Sequence, residues 1–380
     1  MHRTLCLLPF ALLAVGSAPA AHAATPASLP TATIVVPGSD MPGVGLAVSD
    51  THLAYILPDP VFRPRGRTKT NVFTTFHDRV FLVPLHMRGG RLIAGQARVL
   101  LTGARARVLS LISIRDDWLV YTQYSSDALD VNSPWALLAR NVRTQRAVIL
   151  DTSAREGLGG LPPDAASDGQ TVVWRSRTLV HGQQTWVIRA YTFATGRYRI
   201  VVRGGTPTTF AYGLPGVSGR YVVYEQEWSH GPAPRAQIWL SDLASGQRQA
   251  LTSAHDANSE PAIAGDVVVW KVGWRYAGGQ GLGLYNLRTG VGKTLTGSSL
   301  ELPLLTVNGY AIYSFNNPTI VRLYNTQTGV QTSLAGPGAE PDGSLPGNAV
   351  FAGEHTVAYT LGTVSTSATP GPTHLVVVRT

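Results

Sequence analysis

The sequence predicts an all-β fold, a β-propeller with seven four-stranded blades, and two observations support this. First, a small turn residue is followed seven times by a short apolar run that ends in an aromatic residue. Second, the copies recur with an internal period of about 40–50 residues, which is typical of propeller blades. Six or eight blades are the alternatives. The seven aromatic anchors are Tyr55, Tyr121, Trp174, Tyr224, Trp270, Tyr313 and Tyr359.

One complete repeat unit runs from 215 to 253 and predicts how each blade is built. Apolar runs at 221–224 and 237–240 predict the second and third strands, and tight turns contain Gly219 and Gly246. The second-strand runs are apolar at consecutive positions, which indicates strands buried on both faces. Asp242, just before the second tight turn, is expected to cap that turn by accepting hydrogen bonds from nearby backbone amides.

The two ends of the chain predict how the ring closes. The last unit supplies only three strand-like runs, at 349–351, 356–359 and 375–378, whereas a single orphan run at 33–36 precedes the first anchor. Pairing the orphan strand with the last unit completes the final blade. Such closure removes the exposed edges that an open ring would carry.

Two turns carry a resemblance to a known family. Pro163-Asp164-Ala165-Ala166-Ser167-Asp168-Gly169 and Pro215-Gly216-Val217-Ser218-Gly219 resemble the Pro-x-x-Ser-Pro-Asp-Gly turn of TolB-like propeller repeats. The chain lacks the Ser-Pro-Asp-Gly core itself and replaces it with Gly-Asp or Asn-Gly in other units. The resemblance implies the propeller fold and a periplasmic or extracellular binding role. It carries over no catalytic residue.

The N-terminus predicts export. A basic start is followed by an apolar run at 5–15 and then by Ala21-His22-Ala23, the pattern of a cleaved secretory signal peptide. We therefore predict a signal peptide at 1–23, a single propeller domain at 24–380, and a secreted or periplasmic location. No other stretch has the roughly 20 apolar residues that a membrane span needs. The only cysteine, Cys6, lies in the predicted leader, so cysteine chemistry is excluded from the mature chain.

The net charge of +9 is concentrated in one region. Residues 60–115 contain eleven basic residues and one acid, Asp78. Such a block can attract anions such as wall polymers, phospholipid heads or nucleic acid. Arginines along strands alternate between faces, so we favour solvated side chains that protect strand edges, and we do not expect nucleic acid as a partner.

The predicted binding site lies on the face of the ring that carries the long connections. Strand direction alternates, so both tight turns of each unit share one face and the long connections share the other. Binding residues concentrate on such loops, and exposed Trp, Tyr and Arg are typical anchors. The predicted site residues are Arg63, Arg65, Arg67, Trp228, His230, Trp274, Arg275, Tyr276 and Phe315.

The sequence contains no recognisable catalytic motif. It has no Gly-x-Ser-x-Gly elbow, no His-Glu-x-x-His pair and no phosphate-binding glycine-rich loop. Its histidines lack metal-ligand spacing, so we predict no metal site and no cofactor. Glu225 and Glu227 are neighbouring acids on one strand, but we expect them to be a solvated rim rather than a glycosidase pair.

The sequence therefore predicts an exported, non-catalytic, monomeric propeller that binds a protein or a cell-wall or glycan partner through its long-loop face. The alternative is an extracytoplasmic hydrolase or lyase that acts on a carbohydrate or lactone in the central funnel, because propellers carry both roles. Three or more ionisable residues that converge at the axis with shifted pKa values would favour the enzyme.

Overall fold

The computed structural model describes residues 29–36, 45–57, 78–104, 107–125, 134–156, 162–204, 210–228, 235–253, 257–273, 279–300, 305–307, 309–315, 320–333, 344–363 and 373–380. In these ranges the regular structure consists of strands and one four-residue helix, α1 (Ser153–Glu156), so the predicted all-β class is confirmed. The predicted signal peptide lies outside the described residues. No helix in the described ranges is long and apolar enough to cross a membrane.

The strands form seven blades, numbered here in chain order. Blade 1 contains β2 (Leu46–Val48), β3 (His52–Leu57), β4 (Arg79–Arg88), β5 (Arg91–Ala94) and β6 (Arg98–Thr102), and blade 2 contains β7 (Arg107–Arg115), β8 (Trp118–Ser125), β9 (Trp135–Asn141) and β10 (Ala147–Thr152). Blade 3 contains β11 (Ala165–Ser167), β12 (Thr171–Val180), β13 (Gln183–Thr192) and β14 (Arg197–Arg203). Blade 4 contains β15 (Phe210–Tyr212), β16 (Gly216–Ser218), β17 (Tyr221–Trp228), β18 (Arg235–Asp242) and β19 (Arg248–Ala250).

Three further blades complete the ring. Blade 5 contains β20 (Asn258–Ala264), β21 (Val267–Val272), β22 (Gly279–Asn286) and β23 (Val291–Leu300), and blade 6 contains β24 (Leu305–Val307), β25 (Tyr310–Phe315), β26 (Ile320–Asn325) and β27 (Gln331–Ser333). Blade 7 contains β28 (Ser344–Ala352), β29 (Thr356–Thr363) and β30 (Thr373–Arg379), together with the N-terminal strand β1 (Thr31–Val36).

The ring closes as predicted, with seven blades. Strand β1 pairs antiparallel with β30, and the register places Ile34 opposite Leu375. The N-terminal strand thus becomes the outer strand of blade 7. The first strand and the last three strands form one sheet. Blade 7 can therefore unfold only if the N-terminal strand β1 separates from the C-terminal strand β30.

The hydrophobic core lies between neighbouring blades rather than in one central mass. Separate clusters of buried side chains fill the junctions of blades 7 and 1, 1 and 2, 2 and 3, 3 and 4, 4 and 5, and 5 and 6. The second strands supply many of them, and the anchors Trp174 and Tyr224 are fully buried. The prediction that these strands are buried on both faces is therefore confirmed.

The tight turn between the third and fourth strands is capped in the predicted way. The side-chain oxygen of Asp242 accepts hydrogen bonds from the backbone amides of Ala244 and Ser245, at 2.8 and 3.4 Å. Blades 2, 5 and 6 repeat this pattern with an asparagine. The equivalent residues are Asn141, Asn286 and Asn325.

The innermost strand of each blade lines the central channel. These strands contact one another in ring order, β2, β7, β11, β16, β20, β24 and β28, and β28 returns to β2. Each one ends at the tight turn that leads into the second strand of its blade. All seven of these turns therefore surround the same end of the channel, which we call the tight-turn mouth.

Candidate functional site

A cavity of about 270 Å³ opens at the tight-turn mouth. Its lining includes residues from blades 2, 3, 4, 5 and 7, so the cavity lies on the ring axis rather than between two blades. Arg115 and Asp116 come from blade 2, Asp168 from blade 3, and Glu354 and His355 from blade 7. Ionisable side chains that are far apart in the sequence therefore meet at one end of the channel.

Three consecutive blades place an acid at the same turn position. Two residues before the second strand, blades 3, 4 and 5 have glycine, at 169, 219 and 265. Blades 7, 1 and 2, which are neighbours in the closed ring, have Glu354, Asp50 and Asp116 there. The mouth thus has an acidic half and a glycine half. Glycine leaves its half open, since a Cβ added at Gly219 would meet no atom within 4 Å.

Asp50 joins blade 1 to blade 7. Its Oδ1 accepts hydrogen bonds from the His355 backbone amide, at 2.8 Å, and from the Thr356 hydroxyl, at 2.9 Å. Its Oδ2 lies 2.7 Å from Nδ1 of His355 and 3.6 Å from Nη2 of Arg379. Burial acts to raise the pKa of Asp50, but the hydrogen bonds from His355 and Thr356 outweigh it and lower that pKa.

Glu354 is in a less favourable electrostatic environment. Burial raises the pKa of the Glu354 carboxyl, the carboxylates of Asp116 and Asp50 raise it further, and Arg115 opposes the shift. Like charges on blades 1 and 2 therefore disfavour ionisation of this blade 7 carboxyl group. A bound cation would relieve that repulsion.

Arg115 is the basic residue at the centre of this cluster. Burial lowers the pKa of its guanidinium, while the nearby carboxylates of Glu354, Asp168, Asp50 and Asp116 oppose that shift. An arginine retains its charge under such conditions. One guanidinium thus experiences the electrostatic attraction of four carboxyl groups, in a chain whose net charge is +9. The mouth is an acidic site in a basic protein.

The other polar side chains of the mouth tie neighbouring turns together. Oδ1 of Asp168 accepts the amides of Gln170 and Thr171, and its Oδ2 accepts the amide of Gly219 in the next blade at 2.7 Å. The Ser218 hydroxyl oxygen accepts the amide of Gly265 in the blade after that, at 2.9 Å. These bonds fix the turns around the cavity, so the acids are held on a rigid frame.

The turn of blade 2 is unusual in its backbone. Asp116 and Asp117 both have positive φ, 44° and 64°, in a turn where asparagine and glycine are the usual residues. The Asp116 side chain packs against Gly169, where an added Cβ would approach its atoms to 2.8 Å. Glycine in blade 3 therefore makes room for the acid of blade 2.

Asp50, Glu354 and His355 are also a candidate metal-ligand group, since one ligand atom from each lies within 4.8 Å of the others. Asp50, however, is already engaged by an amide, a hydroxyl and an imidazole. We therefore interpret the Asp50–His355 pair as a latch between blades, and the prediction of no metal site is unchanged.

The residues predicted on the long-loop face are mostly not described. Trp228 ends β17 and is partly buried, opposite Phe210 and Arg235 in the register. Phe315 ends β25 opposite Ile320. Both stand at the long-loop end of a second strand. The remaining residues lie outside the described ranges: Arg63, Arg65, Arg67, His230, Trp274, Arg275 and Tyr276.

Glu225, one of the two acids considered as a glycosidase pair, has no exposed surface. Its Oε2 accepts the backbone amide of Glu260 from the neighbouring blade, at 3.1 Å. The expectation of a solvated rim is wrong for Glu225, because Gly213 leaves space for its carboxylate, where a Cβ would come within 2.5 Å. Glu227 is partly buried.

Sequence reasoning missed the acids of the tight-turn mouth, because each was interpreted as an ordinary turn residue. The signal was present in the repeat. When the units are aligned on their second strands, Asp50, Asp116 and Glu354 occupy the position of a glycine. The adjacency of blades 7 and 1 then brings Asp50 and Glu354 together.

Comparison with solved structures supports the fold. No protein-family model matches the chain, and no curated protein matches its sequence. A prolyl endopeptidase matches with a TM-score of 0.55 and 13% identity over 84% of this chain and 45% of that one. An oligogalacturonate lyase in complex with manganese matches with a TM-score of 0.50 and 12% identity over 93% and 97%. The fold is a seven-bladed β-propeller.

TolB from Acinetobacter baumannii is also among the matches, with a TM-score of 0.43 and 15% identity over 76% of this chain. The chain spans 64% of the TolB chain and less than half of the prolyl endopeptidase chain. At such identities the likeness concerns the fold alone, and propellers with this fold carry different functions. Function must therefore be argued from the site.

Proposed function

We propose that the protein is an exported, non-catalytic propeller that binds a positively charged segment of a partner protein at its tight-turn mouth. The observation that carries the proposal is the run of Glu354, Asp50 and Asp116 on three consecutive blades, at a position where blades 3 to 5 have glycine. Asp50 has a structural role in joining blades 1 and 7, but its carboxylate and that of Asp116 disfavour ionisation of Glu354, and a cationic ligand removes that cost.

The shape of the mouth suits an extended ligand. The acidic half supplies carboxylate acceptors for a lysine or arginine side chain, while the glycine half lets a backbone approach closely. The cavity of about 270 Å³ has room for a side chain rather than for a drug-sized ligand, which needs about 300–1,000 Å³. A basic peptide segment lying across the turns is the ligand that this arrangement favours.

The test measures binding of fluorescein-labelled octalysine by fluorescence anisotropy at about 0.15 M salt. The mature protein carries net positive charge, which disfavours non-specific binding of this probe. We expect Asp116→Asn combined with Glu354→Gln to weaken binding about tenfold, from about 0.7 kcal/mol for each lost charge. Asp266→Asn is the matched control, because it removes a turn acid that instead bonds Arg288.

Two results would reject the proposal. The first is no measurable binding of octalysine to the wild-type protein. The second is equal affinity of the wild-type protein and the Asp116→Asn, Glu354→Gln double variant. Unchanged binding by Asp266→Asn is required for the effect to be assigned to the mouth rather than to total charge.

A second candidate function is acid–base catalysis at the same mouth. Asp50 and Glu354 have pKa values displaced in opposite directions, one lowered and one raised, and such pairs are typical of catalytic carboxylates. This is the convergence of ionisable groups that favours a hydrolase or lyase. A screen of lactones and oligosaccharides tests it: turnover that Glu354→Gln abolishes would support the enzyme, and absence of turnover would leave binding as the function.

A further inference from the structure

A second cavity lies between blades 4 and 5, away from the axis. This groove of about 240 Å³ is lined by residues of both blades: Tyr221, Leu240, Asp242, Gln247, Arg248, Gln249, Tyr285 and Leu287. It is formed by the second, third and fourth strands of blade 4 and by the end of the third strand of blade 5. It therefore does not share its lining with the tight-turn mouth.

The equivalent junctions on either side are bridged by a basic side chain. In blade 5, Lys293 lies opposite Leu284, and its Nζ reaches the Tyr324 hydroxyl of blade 6 at 3.1 Å. In blade 3, Arg199 lies opposite Ala190 and donates to the backbone carbonyl of Leu243 in blade 4. Each of these long cations crosses to the next blade.

Blade 4 has Gln249 at this register position, opposite Leu240. Gln249 is exposed, and its side chain makes no hydrogen bond to any residue that the structure describes. Tyr285, the counterpart of Tyr324, is only partly buried, whereas Tyr324 is 4% exposed. The shorter amide leaves open the space that a lysine fills in the next blade.

The neighbouring cation does not close the groove either. Nε of Arg248 donates to the Tyr224 hydroxyl at 2.7 Å, and its guanidinium stacks 4.8 Å from the centre of the Trp239 ring. Both partners belong to blade 4. Tyr224 and Trp239 pack in the cluster between blades 3 and 4, so the Arg248 guanidinium lies on the opposite face of blade 4 from the groove.

The lining indicates a neutral ligand with hydroxyl groups. Asp242, the acid at the edge of the groove, is engaged by Arg220 and by two turn amides. The polar groups that remain are the side-chain amides of Gln247 and Gln249 and the two phenols. Aromatic rings pack on the C–H face of a sugar ring, and amide groups bond its hydroxyls.

We propose that the groove between blades 4 and 5 binds one pyranose residue of an uncharged glycan. Tyr221 and Tyr285 supply the aromatic walls, and the amides of Gln249 and Gln247 supply the hydrogen bonds. The volume of about 240 Å³ limits the site to a single sugar residue, with the rest of the glycan along the surface. This site is independent of the function proposed for the tight-turn mouth.

The experiment is a calorimetric titration of the mature protein with cellotetraose, xylotetraose and chitotetraose, one at a time. We expect at least one to bind. Gln249→Lys should then weaken that binding at least tenfold, because a lysine there reaches Tyr285 as Lys293 reaches Tyr324. Thr332→Lys, which adds the same charge at the same register position of blade 6, should change affinity less than twofold.

A second variant separates filling of the groove from loss of the fold. Gln249→Ala opens the groove and removes the amide, so we expect about fivefold weaker binding with an unchanged melting temperature. Asp116→Asn with Glu354→Gln should leave glycan affinity unchanged. The proposal is overturned if none of the three tetrasaccharides binds the wild-type protein, or if Gln249→Lys binds as tightly as the wild type.

Discussion

The two ends of the central channel use charge in different ways. At the long-loop end of blade 5, Nζ of Lys271 lies 2.6 Å from Oε2 of Glu260, and both side chains are largely buried. At the tight-turn mouth, Arg115 is attracted by four carboxyl groups, of which Asp50 is also paired with His355 and lies 3.6 Å from Arg379. The first arrangement is a matched ion pair that joins two strands, whereas the second contains more negative than positive groups. We infer that the matched end serves stability and that the unmatched end serves binding.

The largest effect is expected at the matched end. Lys271→Met leaves the Glu260 carboxylate largely buried without its partner, and loss of one member of a buried pair costs about 3 kcal/mol. Urea denaturation measures the change. Lys293→Met is the control, since this exposed lysine donates one hydrogen bond, and we expect it to cost less than about 1 kcal/mol. Equal losses for the two variants would contradict the inference.

The next effect concerns the latch between blades 7 and 1. Asp50→Asn removes the charge that binds His355, and hydrogen bonds to a charged group contribute about 1.5 kcal/mol or more. Because the folded pKa of Asp50 is lowered, its contribution is fully present above the unfolded value of 3.8 and is lost as the pH falls below it. The two proteins should therefore differ most in urea denaturation at pH 7.

The comparison for this latch is Asp117→Asn, which removes a pair with the exposed Arg143 and should cost less than about 0.5 kcal/mol. A difference between Asp50→Asn and the wild type that grows on acidification would contradict the proposed role of Asp50. It would mean that the carboxylate is not stabilised in the folded state.

Glu354 should behave in the opposite way. Its folded pKa is raised, so ionisation at pH 7 destabilises the folded state, and the cost disappears as the pH falls below the unfolded value of 4.5. We expect Glu354→Gln to stabilise the protein by about 0.5 kcal/mol at pH 7, a value reduced for partial exposure to solvent. The same variant should weaken octalysine binding about threefold, the share of one charge.

A gain of stability together with a loss of binding is what distinguishes a ligand site from a structural one. Thermal denaturation at pH 7 and pH 4 measures the first effect, and fluorescence anisotropy the second. If Glu354→Gln loses stability at pH 7, the acids of the mouth stabilise the fold. The inference that this end of the channel serves binding is then rejected.

The fold was predictable because its determinants are local. Glycine turns, consecutive apolar residues and the cap of the Asp242 type act within a few residues of each other, and each of them recurs in several units. The closure of the ring followed from a strand count. The site depends instead on which turns become neighbours: Asp50 and His355 bond across 305 positions of sequence. The periodicity of the sequence predicts the ring. Only the pairing of strands in the closed ring shows that the acids that replace glycine at the tight turns lie on consecutive blades.

The glycan groove had the same limitation. Gln249 is unremarkable in the sequence, and it stands out only when its register partner Leu240 is aligned with Leu284 and Ala190 of the neighbouring blades. Such a residue is recognised by the interblade contact that its counterparts make and that it does not. The proposed glycan site was therefore found from the strand register and not from the residue type.

The smallest expected effect tests whether the two faces of the ring act separately. Trp228→Phe, at the long-loop end of β17, should cost about 0.3 kcal/mol through a weaker cross-strand pair with Arg235. It should leave octalysine affinity unchanged, because the mouth is at the other end of the strand.

A pull-down from cell-envelope extract then compares Trp228→Phe with Glu354→Gln at low and high salt. Partners lost only with Trp228→Phe would assign them to the long-loop face, whereas partners lost only with Glu354→Gln would assign them to the mouth.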